Sequence, residues 1–218
     1  MNTAFIVGAG DFCKSGLRPR PGDMVIAADG GYRALARAGI RPDLVLGDMD
    51  SLACPPRGIP LLRFPQRKDL TDMALAIRLA KNRGCTRFKL YGALGGRLDH
   101  AVANLQLLSS LAREGLRGVI ISRNMIIHAL SAGQLSLPPL REGKSVSVLC
   151  WGEPATGVTL RGLSYPLRDA VLNAFEPLGV SNAATGRPIH ISTRTGVVLV
   201  FLQTASRRNG SDNAAPSP

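Results

Sequence analysis

Two aspartates with one residue between them, Asp48 and Asp50, follow a short apolar run over residues 44–46 and a glycine. In an extended segment residues i and i+2 point the same way, so both carboxylates are expected to face one small volume. Two carboxylates that close repel each other unless a cation lies between them or one of them is protonated. A hard divalent cation such as Mg²⁺, which prefers oxygen ligands, relieves this repulsion, so the pair predicts a metal site. The alternative is a solvated turn that is capped by Ser51.

Asp29 ends a second apolar run, over residues 24–28, and precedes Gly30 and Gly31. The two glycines let the backbone enter the following helix closely, and ligands of α/β proteins bind where such strands end. The pattern therefore predicts that Asp29 accepts hydrogen bonds from a ribose or a base. The alternative is that Asp29 only caps the helix.

A cation and two carboxylates, Lys68, Asp69 and Asp72, fall at the start of a predicted helix. Residues i and i+3 share a helix face, so Asp69 and Asp72 are expected to lie together. Capping by Asp69 or Thr71, with acids at the positive end of the helix, explains one acid but does not require the lysine. The segment therefore favours a site for a charged ligand.

A glycine-rich turn over residues 92–96 leads into the longest predicted helix through Arg97, Asp99 and His100. Backbone N–H groups at such a helix start attract phosphate oxygens, and an arginine can bind these oxygens with two parallel hydrogen bonds. His100 and Asn104 share one face of the helix, which makes His100 a candidate for substrate contact. The alternative for a lone histidine is a structural role.

Six of the fifteen acidic residues lie in these four segments, at the end of a predicted strand or the start of a helix. Together with Lys68 and Arg97 they describe a Mg²⁺–polyphosphate site, in which catalysis consists mostly of positioning and charge neutralisation. Residues 8–11 carry only half of the dinucleotide-binding glycine fingerprint, and no helix pattern follows them. This turn predicts a close approach to a ligand rather than NAD binding.

Strands and helices alternate in the first part of the chain. Short apolar runs predict buried parallel strands at residues 4–7, 24–28, 44–46, 61–64, 88–91 and 119–122. Helix patterns lie at residues 30–38, 71–82 and 98–114. The second helix is expected to bury Met73, Ala76, Ile77 and Ala80, and the third to bury Leu98, Ala101, Val102, Leu105, Leu108 and Ala112. This alternation predicts an α/β fold over residues 1–130, a mostly parallel, Rossmann-like sheet flanked by helices.

The composition and the hydrophobic pattern of the sequence change after residue 129. Residues 131–144 are rich in serine, glycine and proline, as in a linker and entry strand, and short apolar runs follow at 146–149, 158–160, 189–192 and 197–202. These runs predict a smaller C-terminal antiparallel β-sandwich domain over residues 131–204. The polar residues 205–218 are expected to form a disordered tail.

The composition, 45% hydrophobic and 19% charged, is typical of a soluble globular protein. No signal peptide is apparent and the apolar runs are too short to span a bilayer, so we expect a cytoplasmic protein without a membrane partner. The four cysteines are scattered and are expected to be free thiols. The net charge of +12 allows a nucleic-acid-binding module as the non-enzyme alternative. Because the arginines are spread along the chain and aromatic residues make up only 5%, we expect no nucleic-acid partner.

In this order and at about these spacings, the four acidic segments resemble the thiamine pyrophosphokinase (thiamine diphosphokinase) family. That family shows D-G-[GA] after an early strand, then G-D-x-D-S, D-x-T-D, and G-x-R-x-D-H at the start of a helix. These elements stand here at residues 29–31, 47–51, 69–72 and 95–100. The likeness extends to the Gly-Leu-Ser-Tyr-Pro-Leu run at 162–167 and to the Ser-Asn pair at 181–182, and so covers nearly the whole chain apart from the tail.

The resemblance implies a homodimer with active sites between the subunits. The implied reaction transfers the diphosphoryl group of ATP to the hydroxyl of thiamine and releases AMP. By matching position, Mg²⁺ would be held by Asp48, Asp50 and Asp72, and thiamine would lie near Ser181 and Asn182. The nucleotide and diphosphate site would comprise Asp29, Gly30, Lys68, Asp69, Arg97, Asp99 and His100. Lys68 and Arg97 are expected to take up charge on the leaving side, and Asp72 or Asp99 is the candidate base.

One feature departs from the family pattern. Eukaryotic relatives carry a tryptophan near the last strands that packs on thiamine, whereas residues 194–202 contain none and Trp151 lies elsewhere. An alternative enzyme class is a nucleotide-sugar glycosyltransferase, which uses the same D-x-D pair to hold a metal on a nucleoside diphosphate. That chemistry does not require the segments at 69–72 and 95–100.

Overall fold

The computed structural model describes residues 2–48, 58–65 and 69–204. Asp50 and Lys68 of the predicted site, and the predicted tail at 205–218, lie outside the described residues. The first part of the chain contains strands β1 (Asn2–Val7), β2 (Met24–Ala28), β3 (Leu44–Gly47), β4 (Leu61–Arg63), β5 (Cys85–Tyr91) and β6 (Arg117–Ile121). The helices are α1 (Gly31–Arg37), α2 (Asp72–Asn82) and α3 (Leu98–Arg113). The strand and helix order expected for an α/β fold is confirmed.

The parallel part of the sheet has the strand order β4-β3-β2-β1-β5-β6, and every neighbouring pair in it is parallel. The chain adds β2, β3 and β4 on one side of β1 and then returns to add β5 and β6 on the other side. The order therefore reverses between β1 and β5. In open α/β sheets, the crevice outside the carboxyl ends of the strands at such a switch point is where ligands bind.

Helices cover both faces of this parallel sheet. Alternate residues of β1 face opposite sides, so that Ala4 and Ile6 join a core beneath α2 and α3 while Phe5 and Val7 join a core beneath α1. The predicted stripe of α2 is buried throughout, at Met73, Ala76, Ile77 and Ala80.

The predicted buried face of α3 is wrong near the start of the helix. Leu98 is 77% exposed and Val102 is 40% exposed, whereas Leu108 and Ala112 are buried as expected. The helix packs on β6, β7 and β12, and Leu98 is its first residue, directly after the loop that follows β5.

The C-terminal part is antiparallel, as predicted. It contains β7 (Met125–Leu137), β8 (Ser145–Cys150), β9 (Ala155–Arg161), β10 (Leu167–Leu172), β11 (Asn182–Ala183) and β12 (Ile189–Gln203). One edge of β12 pairs with β7, and its other edge pairs first with β9 and then with β8. A separate core lies among these strands and includes Val148, Leu160 and Ile191.

Two long strands differ from the sequence expectation. The runs at 189–192 and 197–202 form the single strand β12, and much of the predicted linker belongs to β7, which runs through residue 131 without a break. Along β12, Leu199 belongs to the core of the parallel sheet while Val198 and Val200 belong to the core of the β domain. One apolar strand therefore contributes side chains to both cores. Because it is apolar on both faces, its sequence does not mark a boundary between the two domains.

Across residues 2–48, 58–65 and 69–204, no helix combines the length and the apolar character needed to span a lipid bilayer.

Candidate active site

A cavity of about 350 Å³ lies at the switch point between β1 and β5. Its walls come from the loops after β1, β2 and β5 and from the first turns of α2 and α3. The described residues that line it are Gly8, Ala9, Gly10, Ala28, Asp29, Thr71, Asp72, Met73, Gly92, Ala93, Gly95, Gly96, Arg97, His100 and Asn104. Four residues of the predicted site, Asp29, Asp72, Arg97 and His100, are thus brought together from distant parts of the chain.

The loops after β1 and β5 are joined by backbone hydrogen bonds, which build the floor of the cavity. The N–H groups of Gly8, Gly10 and Asp11 donate to the carbonyls of Tyr91, Gly92 and Leu94 at 2.8, 2.9 and 2.7 Å. A Cβ atom on Gly10 would lie 2.2 Å from the Leu94 oxygen, so only glycine allows this approach. No helix begins in residues 8–30, as expected if the turn is not a dinucleotide fingerprint.

Asp29 follows the last residue of β2 with a φ of +50°, in the left-handed region that non-glycine residues rarely adopt. Its N–H group donates to the Leu46 carbonyl at 2.8 Å, which fixes it against the end of β3. Strained backbone of this kind clusters at functional sites. The turn therefore places Asp29 in the wall of the cavity, directly before Gly30, the N-cap residue of α1.

Asp48 comes directly after Gly47, the last residue of β3. A Cβ atom on Gly47 would lie 3.1 Å from the Asp29 Cα atom, so the ends of β2 and β3 are in close contact. Asp48 itself is half-buried and is not among the residues that line the cavity.

Thr71 and Asp72 form the start of α2. Thr71 is the N-cap, and its side-chain oxygen accepts a hydrogen bond from the Ala74 N–H at 3.2 Å. Of the two capping residues that the sequence offered, the structure selects Thr71, and Asp69 lies exposed before it. Because Thr71 supplies the cap, Asp72 occupies the first turn at the positive end of the helix and faces the cavity.

Arg97 and Asp99 form an ion pair at the start of α3. The Arg97 Nε and Nη2 atoms donate to the Asp99 carboxylate at 3.1 and 2.6 Å, and the His100 N–H donates to the same carboxylate at 2.9 Å. The hydrogen bond from Arg97 lowers the pKa of Asp99 below its ordinary value, and the Asp99 carboxylate raises the pKa of Arg97 in turn. A base works best with a pKa near the working pH, so this pairing makes Asp99 a weaker candidate for the base.

Two residues near the cavity were absent from the predicted site. Asn104 is buried at 7% exposure and its Nδ2 atom donates to the Ala93 carbonyl at 2.7 Å. Asp11 lies against the glycine turn, since a Cβ atom on Gly95 would come within 2.5 Å of its Cγ atom. The sequence signal for Asn104 was its position one helical turn after His100; Asp11 had only its place after the Gly8–Gly10 turn.

The donors at this edge of the sheet suit a hard cation. Carboxylates from Asp29 and Asp72 face one cavity, and Asp48 follows a glycine in contact with Asp29. Among the residues that the structure describes, no group of three or more His, Cys, Asp or Glu side chains could hold a metal ion. Mg²⁺ is usually bound through one or two carboxylates with phosphate oxygens and water, and the described donors fit that kind of site.

Ser181 and Asn182 lie in the β domain and not in the cavity wall. Ser181 has a φ of +59° and its N–H donates to the Ser147 Oγ atom at 3.1 Å. The buried Asn182 amide accepts hydrogen bonds from the N–H groups of Tyr165 and Ala183, both at 2.9 Å, and donates to the Tyr165 carbonyl at 2.7 Å. Asn182 therefore fixes the backbone of Tyr165, whose side chain is 71% exposed. Trp151 is half-buried and packs against the core of the parallel sheet.

Two family models match this chain. Residues 20–120 match the catalytic domain of thiamin pyrophosphokinase, and residues 133–198 match its vitamin B1 binding domain. The thiamine pyrophosphokinase of Bacillus subtilis is 27% identical over 185 residues, which cover 82% of this chain and 86% of that protein.

Solved structures agree with these matches. The Bacillus subtilis thiamine pyrophosphokinase shares the fold, with a TM-score of 0.84 at 24% identity, over 94% of this chain and all of that one. The thiamin pyrophosphokinase of Geobacillus thermodenitrificans gives a TM-score of 0.80 at 25% identity, over 95% of this chain and 99% of that one. Since the two family models together match well over half of the sequence, the chain belongs to the thiamine pyrophosphokinase family of enzymes.

Proposed function

We propose that the protein is a Mg²⁺-dependent thiamine diphosphokinase that transfers the diphosphoryl group of ATP to the hydroxyl of thiamine, giving thiamine diphosphate and AMP. The observation that carries this proposal is the cavity at the switch point, where Asp29, Asp72 and Arg97 meet the first turns of α2 and α3. Helix starts and arginine bind phosphate oxygens, while the carboxylates suit the metal that accompanies them.

In the proposed reaction the thiamine hydroxyl oxygen attacks the β-phosphorus of ATP. The bond from that phosphorus to the oxygen of the α-phosphate breaks, and AMP leaves with the electron pair. When bound, Mg²⁺ supplies charge neutralisation at the phosphate oxygens. Asp48, Asp50 and Asp72 would hold the ion.

The side chains of this protein provide the remaining functions. Arg97, held by its ion pair with Asp99, presents a guanidinium at the cavity that can bind the transferred phosphates. Lys68 is proposed to neutralise charge on the leaving side. Asp72 is proposed to accept the hydroxyl proton, because the hydrogen bond from Arg97 lowers the pKa of Asp99 and makes that carboxylate a weaker base.

We also propose that the enzyme is a homodimer in which the β domain of one subunit faces the cavity of the other. In support, none of the described lining residues comes from beyond Asn104, whereas Ser181 and Asn182 are the residues proposed to contact thiamine. The segment before them exposes Phe175 and Leu178, at 96% and 68%, which a partner would cover. Sedimentation equilibrium tests this proposal, and a monomer at micromolar concentration contradicts it.

Product identity tests the proposed function. The protein is incubated with ATP, Mg²⁺ and thiamine, and AMP and thiamine diphosphate are expected in equal amounts, with no turnover after chelation of the metal. Asp48→Asn should abolish this turnover and leave the melting temperature unchanged. The control Asp169→Asn changes an exposed aspartate of the β domain and should leave activity intact. Release of ADP, or no dependence on thiamine, contradicts the proposal.

A further inference from the structure

Asn104 is one of four buried polar side chains in the described chain, with Ser109, Asn182 and Thr193. It lies in α3 and lines the cavity beside Ala93. Its Nδ2 atom donates a hydrogen bond of 2.7 Å to the Ala93 carbonyl, in the middle of the glycine turn that precedes the helix. A carbonyl can only accept, so this bond also fixes which way the amide points.

The other atom of this amide, Oδ1, has no hydrogen-bond partner among the described residues. No fully enclosed side-chain nitrogen or oxygen of the described chain lacks a partner, so Oδ1 must have access to open space. Asn104 is only 7% exposed and lines the cavity, so the open space that Oδ1 contacts is the cavity. An acceptor so enclosed is costly unless a ligand or water donates to it.

The chemistry of Oδ1 restricts what it binds. Phosphate oxygens are acceptors and carry no donor at neutral pH, so the polyphosphate is not its partner. A nucleoside offers donors, its ribose hydroxyls and the exocyclic amine of adenine. We propose that Asn104 Oδ1 accepts a hydrogen bond from one of these nucleoside donors, while Nδ2 holds the glycine turn for the phosphates. The inference rests on the proposed function, because it takes the nucleotide to be ATP.

Binding of nucleotide analogues tests this role by calorimetry, with Mg²⁺ and without thiamine. The probes are ATP, 2′-deoxy-ATP, 3′-deoxy-ATP and purine riboside triphosphate, which lacks the amine. The wild-type protein is expected to bind one analogue about tenfold more weakly than ATP, the effect of one lost hydrogen bond in an enclosed site. In Asn104→Ala that difference should vanish, whereas Asn104→Asp, which retains an acceptor, should preserve it. Such a substrate–variant cycle isolates Oδ1 from the structural effect of Nδ2.

Ser109→Ala is the matched control. Ser109 is buried in the same helix, donates to the Leu105 carbonyl at 2.8 Å and is not among the cavity residues, so all four affinities should keep their ratios. Asn104→Leu, closer to asparagine in volume, replaces Asn104→Ala if the smaller side chain prevents folding.

Equal affinity for all four nucleotides in the wild type, or a penalty that persists in Asn104→Ala, overturns the inference and leaves Asn104 with only its structural bond. A separate titration compares thiamine with an analogue that lacks its amine, and a penalty there that vanishes in Asn104→Ala overturns the inference as well. A wild-type protein that binds no nucleotide contradicts the proposed function itself, which separates the two failures.

Discussion

The two regions that the family pattern marks, the cavity of the parallel sheet and the Ser181–Asn182 segment of the β domain, use polar side chains in opposite ways. At the cavity, Asp29, Asp72 and Arg97 come from separate strands and helices and meet around open space. In the β domain, the amide of Asn182 is engaged by three hydrogen bonds to its own chain. The first region brings together side chains that can bind a ligand, whereas the second uses its polar side chain to fix the backbone of the β domain.

Both regions contain a non-glycine residue in the left-handed backbone region, Asp29 at +50° and Ser181 at +59°. Each such residue costs about 1–3 kcal/mol, which the surrounding structure must offset. At Asp29 the hydrogen bond to Leu46 at the end of β3 does this, and at Ser181 the contact with Ser147 in β8 does. Each region therefore contains a strained residue, but Asp29 lines the cavity at the switch point and Ser181 does not.

The largest effect expected to separate the two regions comes from a matched pair of aspartates. Asp29 and Asp169 have nearly equal φ values, +50° and +49°, but Asp29 lines the cavity and Asp169 lies on the β domain in an ion pair with Arg194. Asp29→Asn should lower kcat/KM by on the order of 100-fold or more, because it removes charge from a site where electrostatic positioning supplies the catalysis. Asp169→Asn should leave kcat/KM unchanged.

Asparagine tolerates the left-handed region as well as aspartate does, so neither substitution strains the backbone. Steady-state kinetics measures the effect of the lost charge on kcat/KM, and thermal melting shows whether each variant keeps the stability of the fold. Equal activity in the two variants would show that the cavity carboxylate does not set the rate, and the contrast between the regions would lose its chemical meaning.

The contrast between the two regions also accounts for which features could be predicted from the sequence. The acids were predictable because parallel strands end at one edge of the sheet, so that Asp29 and Asp48 had to be neighbours once β2 and β3 paired in parallel. The stripe of α2 was predictable because every one of its positions faces the sheet. The exposure of Leu98 was not, because periodicity shows which residues share a helix face but not how far the sheet extends beneath it.

Asn104 and Asn182 were harder to interpret for a related reason. The sequence shows an amide and its helix or strand position, but the partner of each amide is a backbone carbonyl of a distant loop. Such bonds depend on loop closure, which no local pattern encodes. Resemblance to a family identified Asn182 as a residue near thiamine, and its three internal bonds became visible only in the structure.

A smaller effect, on stability, tests the structural half of the contrast. Asn182→Ala removes three hydrogen bonds at a buried position and should lower the free energy of unfolding by about 3 kcal/mol. Asn173→Ala is the control, because Asn173 accepts from the N–H groups of Phe175 and Glu176 in an exposed turn where water can replace it. Its cost should stay below about 1 kcal/mol.

Urea unfolding followed by circular dichroism measures both values. If Asn182→Ala melts like the wild type but raises the KM for thiamine, the amide belongs to the ligand rather than to Tyr165. That result would make the two regions alike.

The smallest effect concerns the Arg97–Asp99 pair at the rim of the cavity. Its side chains are 73% and 62% exposed, so solvent screens the interaction and its contribution to stability is slight. The pKa of Asp99 is nevertheless lowered from its ordinary 3.8, chiefly by the Arg97 hydrogen bond. Arg97→Gln should therefore raise this pKa toward 3.8, which a carbon-detected NMR titration of the carboxyl group can follow.

The direction of the pKa shift of Asp99 determines the pH range in which the ion pair adds stability. A carboxylate with a lowered pKa in the folded state adds stability above its unfolded pKa, and that stability is lost as the pH falls below about 4. Near neutral pH Asp99 stays ionised with or without Arg97, so the pH profile of activity should show no titration of Asp99 there.

Lys81 and Glu114 form a comparable exposed pair at the far end of α3, where Lys81 lowers the pKa of Glu114. Lys81→Gln should raise the pKa of Glu114 without changing activity, whereas Arg97→Gln should reduce activity as well, because only Arg97 faces the cavity. If Arg97→Gln leaves activity unchanged, as Lys81→Gln is expected to do, Arg97 does not bind the phosphates and the two ion pairs are equivalent.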